Sequence, residues 1–240
     1  MSEAVEVLRQ FKGFSYFTEM SDIINRLEDH VASARMKTTP VIDFEKNESL
    51  KGLDYLDTIY HAIVNEHPIQ LKYRSFKARS ANSFIFYPYL LKEYRNRWFV
   101  YGVRGNGRIL QNLALDRIQS LEVLPQEHYI KNTFFDPNTF FDDLVGVTKN
   151  SGSVAEKVGF KVAAAEAPYI ITKPIHRSQQ LVERLPDGSV ILEIEVVINH
   201  ELERVFFGYV DGIEILYPKT LVELMSRKLE KAAKQYTKSK

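Results

Sequence analysis

In the stretch His67-Pro68-Ile69-Gln70-Leu71-Lys72-Tyr73-Arg74 the chain changes period. Upstream, Leu53, Leu56, Ile59, Tyr60 and Ile63 recur at helical spacing and define one apolar face, so a helix is predicted after Gly52. Pro68 limits it, because the proline ring disfavours the helical conformation of the residue before it. Downstream, Ile69, Leu71 and Tyr73 alternate with Gln70, Lys72 and Arg74, the two-residue period of a strand with one buried face. Four further strands are predicted over residues 84–94, 97–104, 108–115 and 119–124, with Asn96 and Gly105-Asn106-Gly107 supplying tight turns. Five short antiparallel strands of this size curl into a small barrel.

Working outward, the first forty residues read as helix. Met20, Ile23, Ile24 and Leu27 share a face, and Thr18 with Ser21 offers an N-cap. Thr38-Thr39-Pro40 then breaks into an extended piece and a polar loop. Beyond the barrel, residues 126–155 lack clear periodicity and are expected to be a long, partly packed linker. The last third alternates differently: strand 156–162, helix 163–172, strands 181–185 and 190–198 around Pro186-Asp187-Gly188-Ser189, helix 201–209, strand 212–217 and helix 221–236. That β-α-β-β-α-β order is ferredoxin-like. The expected class is α+β: a helical connector over 1–51, a barrel with its leading helix over 52–125, the linker over 126–155, and a ferredoxin-like domain over 156–240.

The overall balance of 32 basic against 31 acidic side chains conceals a segregation. Residues 69–124 hold ten Lys and Arg but only Glu93, Asp116 and Glu122 as acids, a surplus of +7, while the net charge of +1 leaves −6 on the remainder. Charge divided in this way points to an anionic partner for the barrel. Cysteine is absent, which removes disulfides, thiolate nucleophiles and cysteine metal sites and fits a reducing cytoplasm. No apolar run approaches the roughly 20 residues of a membrane helix, and Met1-Ser2-Glu3-Ala4-Val5-Glu6 lacks the opening of a secretion signal. A cytoplasmic protein is expected.

The barrel interleaves its cations with Tyr73, Phe76, Phe84, Phe86, Tyr87, Tyr89, Tyr94, Trp98, Phe99 and Tyr101. Guanidinium groups donate paired hydrogen bonds to phosphate, and aromatic faces stack exposed bases. The expected ligand is therefore single-stranded nucleic acid or a nucleotide. The candidate contacts are Tyr73, Arg74, Trp98, Tyr101, Arg104, Arg108 and Arg117, with Gly102 leaving room for close ligand approach. A structural role stands beside each of these. Trp98, Phe99 and Phe86 fit the interior of a small barrel, Arg117 can pair with Asp116 or cap a turn, and Lys77 and Arg79 fit a solvated loop with a steering role.

Enzyme signatures are missing from the sequence. The histidines His30, His61, His67, His128, His176 and His200 have no metal-ligand spacing, and Gly102 to Gly107 lies between two strands, as a hairpin does, and not between a strand and a helix. Asp142-Asp143 has no acidic partner nearby in sequence. No metal and no cofactor are predicted. His176-Arg177-Ser178-Gln179 suits either a turn or a contact with a second copy of the chain.

Gln70-Leu71-Lys72-Tyr73-Arg74, Tyr87-Pro88-Tyr89-Leu90-Leu91, Arg97-Trp98-Phe99-Val100-Tyr101-Gly102 and Leu115-Asp116-Arg117-Ile118 together resemble the WYL family of bacterial regulators. Trp98-Phe99-Val100 stands where the family's Trp-Tyr-Leu triplet does, and Phe99 removes a hydroxyl from that pattern. Residues 156–236 resemble the WCX extension domain that follows WYL in many such proteins. The resemblance implies an Sm-like barrel that senses a ligand, with basic residues at the positions of Arg74, Arg104 and Arg108. It also implies an extension domain that helps form a homodimer, and a winged helix that reads duplex DNA. Residues 1–34 are too few for that winged helix, so either duplex reading lies in a segment not present here or the protein works without a DNA reader of its own. A second reading, a protein-interaction module whose charge serves an acidic protein surface, stays open at this point.

Overall fold

The computed structural model describes residues 51–105, 107 and 109–237. The helix expected over the first forty residues lies outside them, as do Asn106 and Arg108. The chain divides into two compact units, Met1–Phe134 and Phe135–Lys240.

In the first unit a single 3-10 turn, Leu53–Tyr55, leads into helix α1, Leu56–Val64, which buries Leu56, Ile59 and Ala62. The helix ends where its last carbonyls are taken up: the amide of Asn65 bonds to the His61 carbonyl at 2.9 Å and that of His67 to Ala62 at 2.8 Å. The strands β1 (Ile69–Tyr73), β2 (Asn82–Tyr94), β3 (Arg97–Arg104), β4 (Leu110–Ala114) and β5 (Ile118–Val123) form one antiparallel sheet in the order β4-β3-β2-β1-β5. β2 serves both halves. Its first residues, Asn82 to Phe86, pair with β1, and its remainder pairs with β3, with an irregularity between Pro88 and Leu90. That sharing, with the 3-10 turn Leu115–Arg117 between β4 and β5, is the arrangement of an SH3- or Sm-like barrel. Its core gathers Leu56, Ile59, Ile69, Leu71, Phe86, Val100, Leu113 and Leu115.

Two glycines are fixed by close approach. Gly52 has φ +86° and lies against the Leu115 backbone, where an added Cβ would come within 2.5 Å. Gly102 does not leave room for a ligand, contrary to expectation: a Cβ there would lie 2.1 Å from the Tyr87 carbonyl oxygen and 2.6 Å from the Phe86 ring. The neighbouring strand β2, whose Pro88 lies opposite Gly102, fills that space.

The second unit contains β6 (Glu156–Val162), α2 (Ala167–Thr172), β7 (Gln180–Arg184), β8 (Val190–Val196), α3 (His200–Phe207), β9 (Ile213–Tyr217) and α4 (Lys219–Thr237). All its strand pairs are antiparallel in the order β7-β8-β6-β9, the ferredoxin-like arrangement. Alternation along β6 and β8 sends Val158, Phe160, Val162, Leu192, Ile194 and Val196 into a core closed by Ile170, Leu202, Phe206, Leu221 and Met225.

Residues 126–155 divide between the units, and both parts pack. Tyr129 donates its hydroxyl to the Pro88 carbonyl and meets Tyr87 and Tyr89 edge-on, while Phe134 stacks on Tyr89 with ring centroids 6.1 Å apart. In the second unit, the amide of Val197 bonds to the Asp143 carbonyl at 2.8 Å, and Lys149 pairs with Asp143 at 2.8 Å. The Asn199 amide group reaches the carbonyls of Val145 and Thr148 at 3.0 and 2.9 Å. Asp142 pairs with Arg177 at 2.7 Å.

Candidate ligand-binding surface of the barrel

β1 ends at Tyr73, and its ladder partners are Asn82 on β2 and Ile118 on β5. The phenol is half-buried, packs against the barrel core, and has the Arg117 guanidinium and the Ala114 backbone near its hydroxyl. The amide of the next residue, Arg74, bonds to the Arg117 carbonyl and ties the end of β1 to the 3-10 turn. Burial raises the Tyr73 hydroxyl above its ordinary value, partly opposed by the neighbouring Arg117 guanidinium.

Arg117 is held from several sides. Its Nε lies 3.8 Å from Asp116 Oδ1, its backbone carbonyl accepts the Arg74 amide at 3.1 Å, and its guanidinium carbon lies 4.5 Å from the centre of the Phe76 ring. Asp116 also faces Arg97, whose Nε is 3.3 Å from Oδ2. One carboxylate thus serves two guanidinium groups, leaving excess positive charge at this end of the barrel. Arg117 Nε and Asp116 Oδ1 are both buried and have no hydrogen-bond partner, since 3.8 Å is too long for one.

Arg104 closes β3 opposite Phe86, and its guanidinium carbon lies 4.1 Å from the centre of the Phe84 ring. Phe84 pairs with Leu71, two residues before Tyr73, so Phe84 and Tyr73 are diagonal neighbours on one face of the β1–β2 pair. Phe84 and Tyr73 both pack, partly buried, against the barrel core. Both guanidinium carbons lie over aromatic rings within cation–π reach.

The remaining candidates are distributed differently. Arg74 is exposed and follows Tyr73 directly. Trp98 is half-buried and packs against the barrel core. Tyr101 is only 2% exposed, so its ring belongs to the packed side of β3. Arg108 lies outside the described residues. Phe76 and Asp116 complete the surface without having been among the candidates. The signal for Phe76 is in the sequence: it is the one large apolar residue of the polar loop Arg74-Ser75-Phe76-Lys77-Ala78-Arg79-Ser80.

In the second unit, His176-Arg177-Ser178-Gln179 forms a turn. The Gln179 amide bonds to the His176 carbonyl at 3.0 Å, and Ser178 Oγ accepts the Glu195 amide at 2.9 Å while lying 2.7 Å from His176 Nδ1. The Ser178 hydroxyl thus extends the β8 ladder. Burial, reinforced by the charge of Arg177, lowers the His176 pKa. Among the described residues no group of His, Asp and Glu side chains is placed to hold a metal ion, and no helix is long and apolar enough to cross a membrane.

A basic, aromatic-faced Sm-like barrel joined to a ferredoxin-like domain is the architecture of one regulator class, and the family comparisons agree with it. Residues 54–123 match the WYL domain and residues 155–233 the WCX domain. The chain belongs to the WYL family. Among solved structures it is similar to proteasome accessory factor B/C (PafBC) of Arthrobacter aurescens, at 15% identity and a TM-score of 0.37, covering 85% of this chain and 30% of that one. It is also similar to a protein described as CRISPR Cas-related, at 12% identity and a TM-score of 0.47, covering 78% of this chain and 52% of that one. The chain therefore spans 30% and 52% of the length of these two structures. No curated protein matches it.

Proposed function

We propose that this chain is the ligand-sensing and dimerising part of a WYL-family transcriptional regulator, and that its barrel takes single-stranded nucleic acid or a nucleotide. The observation that carries the reading is the pair of ring-backed guanidinium groups, Arg117 on Phe76 and Arg104 on Phe84, on a module with a surplus of +7. A phosphate at either group gains charge-assisted hydrogen bonds from a donor backed by a ring, which reduces the side-chain entropy lost on binding. Tyr73, Arg74 and Arg108 extend the same contact set, with Trp98 and Tyr101 supporting it from the body of the barrel. The extension domain supplies the homodimer contact, and duplex DNA is read by a segment outside these residues. The chain works by binding and not by turnover, in the reducing cytoplasm.

Fluorescence anisotropy with labelled single-stranded oligonucleotides and with nucleotides, over a series of salt concentrations, tests the proposal. Affinity should fall with salt by about 0.7 in logarithmic slope for each phosphate neutralised. A variant carrying both Arg104→Ala and Arg117→Ala should lose most of the affinity and part of the slope. Absence of binding at low salt, or equal binding by that variant, overturns it.

A further inference from the structure

The loop between β1 and β2 presents an arrangement that phosphate binding alone does not require. Phe76 is 73% exposed although its neighbour Arg117 keeps a side-chain exposure of only 26%. One face of the ring lies on the Arg117 guanidinium, 4.5 Å from its carbon, and the other stands in solvent. Arg117 faces Asp116 at 3.8 Å and its carbonyl holds the Arg74 amide at 3.1 Å, so the ring rests on a base tied into the barrel. Arg74, Lys77 and Arg79 flank it, all exposed, in a segment with no acidic residue.

Holding a phenyl ring in water forfeits the apolar burial that usually fixes a phenylalanine. A ring backed by a cation and surrounded by cations has a natural occupant for its open face. A nucleobase offers a flat apolar surface, and the phosphates on either side of it match the flanking charges. An apolar protein surface would bury the ring equally well but would have to desolvate three cations beside it.

We infer that Phe76 is a stacking platform for an unpaired base of a single strand, with Arg74, Lys77 and Arg79 receiving the phosphates next to that base. This rests on the reading of the barrel as a nucleic-acid sensor and sharpens it: the ligand is a strand that carries a base beyond the phosphates bound at Arg104 and Arg117. Stacking on Phe76 accepts any base, so the platform contributes affinity and register more than sequence preference.

The test uses the full chain and two oligonucleotides of equal length and charge, one with 2-aminopurine at successive positions and one abasic throughout. Stacking quenches 2-aminopurine, so one position should dim on binding to the native protein. Phe76→Ala should abolish that quenching and weaken binding of the base-bearing strand by about fivefold or more beyond whatever loss it causes for the abasic strand, because releasing Arg117 weakens phosphate contact for both strands alike. Phe76→Trp should restore both signals. If the native protein binds strands but Phe76→Ala binds both oligonucleotides as the native protein does, the platform is overturned and the phosphate site survives. Equal weakening for both oligonucleotides also overturns it, since the loss would then be structural. If the native protein binds neither oligonucleotide, the sensor reading falls and the platform falls with it.

Discussion

The Arg74 amide bonds to the Arg117 carbonyl at 3.1 Å, and that bond joins the residue after β1 to the turn that precedes β5. Tyr73, the residue before Arg74, packs half-buried against the barrel core with the Arg117 guanidinium near its hydroxyl. Tyr73→Phe removes the hydroxyl's interaction with Arg117 and should lower stability by up to about 1 kcal/mol. It should also weaken oligonucleotide binding through the freed arginine. Denaturant unfolding read beside anisotropy checks both; unchanged affinity would show that Arg117 is held without Tyr73.

Arg117→Lys separates geometry from charge. Lysine keeps the positive charge but has no planar fork to stack beneath Phe76 while facing Asp116 and Tyr73. Affinity for single strands should fall about tenfold, the scale of one lost charge-assisted bond, with the salt slope nearly unchanged. A slope reduced by a full phosphate contact would contradict this.

Much of the barrel was legible because its strands alternate. Ile69, Leu71 and Tyr73 declare a buried face, and the β-α-β-β-α-β order of the last third follows from similar periods. The elements that failed to announce themselves depend on distant partners. Gly102 reads as open space until Phe86 and Tyr87 are known to cross it. Phe76 is a lone apolar residue in a loop, with no period to reveal that Arg117, far along the chain, lies beneath it. Residues 126–155 have no periodicity because they are held by single contacts, such as Tyr129 on Pro88 and Asn199 on Val145.

Those close approaches have a measurable cost. Gly102→Ala drives a methyl group into the Tyr87 carbonyl and the Phe86 ring, and Gly52→Ala drives one into the Leu115 backbone at a φ of +86°. Each should destabilise the barrel by about 2 kcal/mol or more. Gly52→Ala should also weaken ligand binding, since Leu115 opens the turn that carries Asp116 and Arg117. Thermal unfolding and anisotropy of the two variants distinguish these effects.

Three barrel tyrosines make stability fall in alkali. Burial raises the hydroxyls of Tyr73 and Tyr129 and pushes Tyr89 up to about 12, with the nearby Tyr87 adding to the last. A phenol whose folded pKa exceeds its unfolded value contributes fully below the unfolded pKa, about 10, and the contribution disappears as pH rises through the folded pKa. Denaturant midpoints should therefore be level near about pH 8 and drop by about pH 11. The Tyr89 hydroxyl is buried without a hydrogen-bond partner, so Tyr89→Phe should cost nothing near neutrality and reduce the alkaline drop.

Asn199 locks the start of the second unit. Its Oδ1 accepts the Leu202 amide at 2.9 Å, capping α3, while its Nδ2 donates to the carbonyls of Val145 and Thr148 at 3.0 and 2.9 Å. Thr148 returns a bond to Glu201 at 2.8 Å, so the preceding loop is clasped to the first turn of the helix. Asn199→Ala removes the cap and both donors and should cost about 2 to 3 kcal/mol. Asn199→Asp keeps the cap, and favours the helix dipole, but sets a carboxylate against two carbonyl oxygens. It should fall between alanine and the native residue in stability while freeing the loop as fully as alanine does. Amide exchange can read the two parts separately: the Leu202 amide should stay protected in the Asp variant and exchange faster in the Ala variant, with the loop amides exchanging faster in both. Retained loop protection in both variants would mean that Lys149–Asp143 and the Val197 amide hold it alone.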